Sequence, residues 1–248
     1  MHRFYLPPQA CQGPILTLTG SEAHHALAVL RVRAGDQVTV LDGAGHEYCC
    51  EVGETARGSV ALHARARRVL PGPRSRLTLV QAVTKHRSMD LIVQKATELG
   101  AHRIVPVLAE RSVVRVSPAE APRKANQWRA VALEALKQCG APWLPAIEPP
   151  VPAVTFLARG ERFDLALLAS LQPGSRHPRE WLDDYQRTRG RPPDEVAVWV
   201  GPEGDFAPAE LAAISSHGAL PITLGPHVLR SETAALYCLS VLSYEFQR

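Results

Sequence analysis

The stretch VAVWVGPEGDF at residues 196–206 decides how this chain folds. Its first five residues are continuously apolar, the pattern of a strand buried on both faces of a parallel sheet. Gly201 and Gly204, which follow, let backbone groups come close to a ligand at the strand's C-terminal end. Two other segments repeat the arrangement. Phe163–Ala169 reads as a strand running into Ser170-Leu171-Gln172-Pro173, and Leu220–Leu224 as a strand running into GPHVLRSETA at 225–234. Open α/β sheets bind ligands outside the carboxyl ends of their strands, so these three ends form one candidate crevice.

Upstream, strands and helices alternate. Leu77–Val83 is a strand, and Ser88–Leu99 is a helix with Met89, Ile92, Val93, Ala96 and Leu99 on one face and Gly100 as its stop. Ile104–Leu108 is a strand. A long helix from about Pro122 to Cys139 buries Trp128, Ala132, Ala135 and Cys139. A short helix near Trp181 and a last helix from about Ser231 to Phe246 complete an α/β fold with a parallel sheet covered on both faces. The last helix carries Ala235, Cys238, Leu239, Leu242 and Phe246, more apolar surface than one sheet face covers, which predicts a homodimer.

The first seventy residues read differently. Arg3–Leu6, Gln37–Leu41, His46–Val52 and Ser59–Val69 are strands, with a hairpin turn at Asp42-Gly43. One helix interrupts them, with Ser21 as N-cap and Ala23, Leu27 and Leu30 as its stripe. Short strands with one helix predict a small β-barrel. Pro71-Gly72-Pro73 breaks any element and divides the chain into domains 1–72 and 73–248.

At 248 residues, with 46% hydrophobic and 21% charged, the chain is neither disordered, collagen-like nor a bare coiled coil. No apolar run approaches the roughly 20 residues of a membrane span, and residues 1–8 hold no signal-peptide core, so a soluble, cytoplasmic protein is expected. The five cysteines form no CxxC pair, and adjacent Cys49 and Cys50 point to opposite faces of a strand; they read as small buried hydrophobes. His24 and His25 diverge by about 100° on a helix, and no metal site is expected. No GxxxxGK[ST] string exists, and Gly43-Ala44-Gly45 lacks a third glycine, so neither phosphate-loop chemistry nor a dinucleotide fingerprint applies.

The net charge is +4, and only Lys85, Lys95, Lys124 and Lys137 of the 28 basic residues are lysines. Arginine forks suit phosphates and base edges. In Ser59–Val69, alternation puts His63, Arg65 and Arg67 on one face and Leu62, Ala64 and Ala66 on the other. That cationic face either tracks phosphates or is a solvated outer face.

The segments GPEGDF (201–206) and LGPHVLRSETA (224–234) resemble the C-terminal signature of the SPOUT methyltransferases. Lys85 with MDLIVQKATELG (89–100), Glu134-Ala135 with Gln138-Cys139, Arg3-Phe4, His25 and Val29-Leu30-Arg31 narrow the likeness. Over nearly the whole chain it resembles the ribosomal RNA small subunit methyltransferase E family, which methylates N3 of a uridine in 16S rRNA.

The resemblance implies a PUA-like RNA-binding barrel followed by a SPOUT domain with a C-terminal trefoil knot, which periodicity does not show. It implies S-adenosyl-L-methionine as cofactor, held at the three strand ends: by Leu168, Ala169 and Ser170; by Val200, Gly201, Pro202, Glu203 and Gly204; and by Leu224, Gly225, Val228, Leu229 and Thr233. Arg3, Arg31, Arg65, Arg67, Lys85 and Arg87 are the RNA-binding candidates. The implied partners are 16S rRNA or the small ribosomal subunit, and a second copy packed through the knot region.

Arg230 and Glu232 are the catalytic candidates. A guanidinium stays protonated and forks, so Arg230 suits negative charge on the uracil oxygens. Glu232 accepts a proton or orients Arg230; alternatively the two form an ion pair at a helix start. Two positions depart from the family. Asp205 replaces a usual glycine, which is expected to perturb the loop backbone, and Ala141 replaces a usual arginine, which removes an interaction with RNA or the active site. Other readings are a SPOUT enzyme acting on ribose or another base, and a non-catalytic RNA-binding relative.

Overall fold

In the computed structural model, which describes residues 1–246, the chain folds as two units. One is Met1–Gly72 with Leu133–Leu144; the other is Pro73–Ala132 with Pro145 onward.

The first unit runs β1 (His2–Tyr5), β2 (Ile15–Thr19), α1 (Gly20–His24), β3 (Gln37–Leu41), β4 (His46–Ala56) and β5 (Ser59–Val69). The sheet order is β1-β3-β4-β5-β2, antiparallel except for β1 beside β3. Among the described residues no ladder joins β1 to β2, so the expected barrel is a half-barrel sheet. Its inner face buries Phe4, Leu16, Leu18, Val38, Val40 and Leu62. Strand β2 escapes the sequence reading, although its alternation buries Leu16 and Leu18 and exposes its other three residues.

The helix starts one residue before Ser21, at Gly20, and continues as a π-turn over His25–Val29. The Leu30 N–H donates to the His25 carbonyl at 2.9 Å. Ala26 joins Ala23 in the core, and the expected Leu27 and Leu30 pack against it partly buried. Beside it lies Lys137, only 7% exposed, paired to Glu22 at 2.7 Å and Glu134 at 2.8 Å. Burial works against its charge, but the two carboxylates outweigh burial and hold its pKa above the ordinary lysine value.

The second unit contains β6 (Arg76–Ala82), α2 (His86–Glu98), β7 (Arg103–Leu108) and most of α3 (Ala121–Cys139). Then follow β8 (Ala146–Ile147), β9 (Val151–Pro152), α4 (Ala153–Leu157), β10 (Leu165–Ala169), α5 (Pro178–Arg189), β11 (Glu195–Val200), α6 (Pro208–Ser216), β12 (Ala219–Ile222) and α7 (Ser231–Phe246). All ladders are parallel, in the order β12-β10-β11-β6-β7-β8, with β9 also on β7. This is the expected parallel α/β sheet. Trp199 packs edge-on to both Phe156 and Phe206, which fills one face of its core.

Several expectations need correction. Strand β10 starts at Leu165 rather than Phe163, and β12 ends at Ile222, which frees Thr223 and Leu224 for the following loop. Cys139 is exposed in the last turn of α3. Helix α7 buries Ala235, Cys238, Leu239 and Leu242 while packing on α2, β6 and β11. That stripe is therefore covered within the chain and does not itself call for a second copy. Among the described residues no helix is long and apolar enough to cross a membrane.

Candidate functional site

The loops after β10, β11 and β12, with the first turn of α7, enclose a cavity of about 350 Å³, within the range of small-molecule sites. Each wall has a local cause. After β11, the Asp205 N–H closes a turn onto the Pro202 carbonyl at 3.0 Å, and the buried Phe206 ring pins the loop against Trp199. The Arg111 guanidinium holds the Gly204 carbonyl from outside at 2.9 Å. After β12, the Gly225 N–H donates to the Thr223 hydroxyl at 3.3 Å, and Gly225 itself has φ 111°, a conformation that glycine adopts without penalty. After β10, the Ser170 N–H donates to the Ile222 carbonyl at 3.1 Å.

The walls are tied to one another. Ser231 Oγ donates to the Gly201 carbonyl at 2.7 Å and accepts from Gln81 Nε2 at 2.9 Å. Gly201 is backed so closely that a Cβ there would lie 3.2 Å from the Phe206 ring and 3.3 Å from Asp205 Oδ1. The Gln81 side chain, fully buried at the centre of the sheet, had no signature in sequence because an amide in an apolar strand reads as noise.

Ten of the thirteen proposed cofactor residues line the cavity: Ala169, Ser170, Val200, Gly201, Pro202, Glu203, Leu224, Gly225, Val228 and Leu229. Leu168 does not, because it points into the core and is 1% exposed; Gly204 lies outside the lining, and so does Thr233, on the exposed side of α7. Residues missed from sequence include Thr223, Ser231, Ala234 and Asp205. The first turn of α7 was the missing signal: Ser231 and Ala234 are three apart and share a helix face.

Asp205 has φ 60° and is 8% exposed. The loop adopts the left-handed backbone that glycine tolerates, at roughly 1–2 kcal/mol for a side chain, less for aspartate, which bonds locally. Here Oδ1 accepts from the Phe206 N–H at 2.8 Å and Oδ2 from the Leu171 N–H at 3.4 Å.

Arg230 and Glu232 flank Ser231 without lining the cavity. Arg230 is exposed and Glu232 half-buried, and among the described residues no ion pair joins them or engages either. The helix-start pair therefore does not form, and nothing holds Glu232 as an orienter of Arg230.

The RNA-binding candidates fall into different settings. Arg3 is committed to the end of α3, donating to the Gln138 carbonyl at 3.0 Å and the Lys137 carbonyl at 3.4 Å. Its guanidinium lies beside Gly140, next to Ala141. Arg65 is paired to Glu51 at 3.1 Å, and Arg67 lies 5.9 Å from the centre of the Tyr48 ring. Arg31 is exposed with φ 54°, and Lys85 and Arg87 are exposed around the start of α2.

The donor set decides which ligand fits. Among the described residues the cavity lining holds two carboxylates, Glu203 and Asp205, one histidine, His227, and no lysine or arginine. Phosphate-bearing ligands are disfavoured there, and a ligand carrying positive charge is favoured. S-adenosyl-L-methionine, with its sulfonium, fits that charge and the exposed backbone of the glycine loops. Among the described residues no three histidine, cysteine or acidic side chains gather as a metal site.

Comparison with known proteins agrees with this geometry. A family model for an RNA methyltransferase domain matches residues 71–243, and one for an RNA methyltransferase PUA domain matches 18–63. The chain is 29% identical to ribosomal RNA small subunit methyltransferase E of Bacillus subtilis, covering 99% of this chain and 97% of the relative. It is 31% identical to the protein of that name from Mycobacterium bovis, covering 96% and 90%. A Legionella pneumophila structure described as a methyltransferase with bound SAM superposes with TM-score 0.87 at 31% identity, over 98% of this chain and 97% of that one. Ribosomal RNA small subunit methyltransferase E of Neisseria gonorrhoeae, bound to S-adenosyl methionine, gives 0.86 at 26%, over 99% and 98%.

Proposed function

This chain belongs to the ribosomal RNA small subunit methyltransferase E family, and from that premise we propose that it methylates N3 of a uridine in 16S rRNA using S-adenosyl-L-methionine. The observation that carries the reading is the cavity: three strand-end loops with open backbone, two carboxylates and, among the described residues, one histidine but no lysine or arginine. When bound there, S-adenosyl-L-methionine supplies a methyl group activated by a positively charged sulfur. The backbone of Gly201, Leu224 and Gly225 would hold the cofactor, the two glycines allowing close approach.

Arg230, exposed between the lining residues Leu229 and Ser231 and in no ion pair among the described residues, places its fork against the uracil oxygens and stabilises negative charge there while N3 is deprotonated. Glu232, on the first turn of α7, takes the N3 proton. Exposed Arg31, Arg65 and Arg67 on the first unit, with Lys85 and Arg87 on the second, position RNA through its phosphates. Arg3 acts indirectly, by bonding to the end of α3.

The reading extends to assembly. Helix α7 follows the edge strand β12 yet packs on β6 and β11 in the middle of the sheet, the return path that a C-terminal trefoil knot requires. Tyr237, 39% exposed on α7, and Leu91, 38% exposed on α2, offer apolar surface for a homodimer. An rRNA substrate places the enzyme in the cytoplasm. The test is transfer of labelled methyl from S-adenosyl-L-methionine to small subunits from a strain lacking this activity, followed by nucleoside mass spectrometry. The reading predicts 3-methyluridine; a ribose-methylated nucleoside, or no transfer, overturns it.

A further inference from the structure

Asp205 places a carboxylate where the backbone discourages any side chain, at φ 60°. It is 8% exposed, it lines the cavity, and among the described residues no cationic side chain pairs with it. Its only protein partners among them are two backbone N–H groups, Phe206 at 2.8 Å and Leu171 at 3.4 Å, the second long. A buried carboxylate without a counter-charge is unfavourable unless something supplies one. Among the described residues the cavity lining holds no lysine or arginine, and its one histidine, His227, makes no ion pair with Asp205, which leaves the ligand.

We propose that Asp205 determines ligand specificity, making the cavity prefer cationic S-adenosyl-L-methionine over the neutral thioether S-adenosyl-L-homocysteine. The assignment rests on the methyltransferase reading above. Methyl transfer breaks the sulfur–methyl bond and leaves its electron pair on sulfur, while the methyl group bonds to N3 and the N3 proton passes to Glu232. The ligand thereby loses its sulfonium charge, and with it the attraction of Asp205 for that sulfur, while its ammonium group is unchanged. The same carboxylate that favours cofactor uptake thus favours product release, because charges lining a cavity are screened less than in bulk water.

The test is titration calorimetry of both ligands with wild type, Asp205→Asn and Asp205→Gly, with thermal melts to verify folding. Asparagine tolerates the left-handed backbone and can still accept from the Phe206 N–H, and glycine relaxes the backbone altogether. Both variants should lower the preference for S-adenosyl-L-methionine about three- to tenfold, with S-adenosyl-L-homocysteine affinity changed less than about twofold. An unchanged preference, or parallel loss of both ligands, overturns the assignment and makes Asp205 a loop clasp. Wild-type protein that binds neither ligand overturns the methyltransferase reading as well.

Discussion

The Ser231 hydroxyl donates to the Gly201 carbonyl at 2.7 Å, so the first residue of α7 is bonded to the loop that follows β11. The same oxygen accepts from Gln81 Nε2 at 2.9 Å, which ties both to the middle of the sheet. The cofactor loop is thus tied to the first turn of α7 and, through Gln81, to the sheet beneath it.

Removing that hydroxyl leaves a buried carbonyl and a buried amide short of one partner each. Ser231→Ala is expected to cost about 1–3 kcal/mol in urea unfolding and to weaken S-adenosyl-L-methionine binding, since Gly201 loses its fixed position. Stability and affinity both equal to wild type would show that the bond has no mechanical role.

Positioning and chemistry should separate. Replacing Arg65 and Arg67 with alanine should weaken RNA binding and reduce the slope of log affinity against log salt by about 0.7–0.9 for each phosphate no longer neutralised. Turnover at saturating RNA should stay near wild type. Part of the Arg65 effect will come from Glu51, which loses its cation and then repels phosphate. Arg230→Ala should do the reverse, with RNA binding little changed and turnover down about 10²–10³. Arg230→Lys should recover little, because an ammonium cannot fork. Normal turnover of Arg230→Ala at saturation would remove Arg230 from the chemistry.

Thiol reactivity follows burial. Burial pushes Cys11 up to about 11, with Asp42 adding to it, and pushes Cys50 up to about 12, with neighbouring cysteines adding. Burial alone pushes Cys238 up to about 12. Near pH 8 an alkylating reagent should label exposed Cys139 first and half-buried Cys49 more slowly. Cys11, Cys50 and Cys238 should react only after denaturation, as peptide mapping will show.

What sequence revealed, and what it did not, divides along physical lines. The apolar run Val196–Val200 and the period of Met89, Ile92, Val93 and Ala96 were legible because burial on a regular element leaves a regular pattern. The loops around Gly201 and Gly225 were legible through glycine and position. Strands β8 and β9 were not, since two residues carry no period. Helix α6 was overlooked because its sequence shows little amphipathic contrast, although Pro208 at its first position and Glu210, which accepts from the Ala207 N–H at 2.9 Å, were readable start signals. The π-turn at His25–Val29, the Ser231–Gly201 bond and the freedom of Arg230 depend on three-dimensional neighbours that spacing does not encode.

Asp164 gives a stability test with a definite sign. Its Oδ2 accepts from the Glu195 N–H at 3.1 Å and the Asp194 N–H at 2.9 Å. These bonds, the one from Glu195 foremost, hold its pKa below the ordinary aspartate value of 3.8 against the effect of burial. A folded pKa below the unfolded one stabilises the fold above the unfolded value, and that stability is lost as pH falls through the folded value. Asp164→Asn should therefore cost about 1 kcal/mol at pH 7, and the gap should close in acid below about 3.8. A gap independent of pH would mean that the carboxylate's charge plays no part.

The most direct test of the account is calorimetric titration of S-adenosyl-L-methionine into wild type, Gly201→Val and Gly225→Val. A branched side chain at Gly201 meets Phe206 and Asp205 and blocks the backbone approach, while at Gly225 it opposes the φ of 111°. Wild type should bind one cofactor per chain, and both variants should show no heat of binding while their thermal melts remain cooperative. Binding curves for both folded variants that match wild type would contradict the central claim and place the cofactor elsewhere.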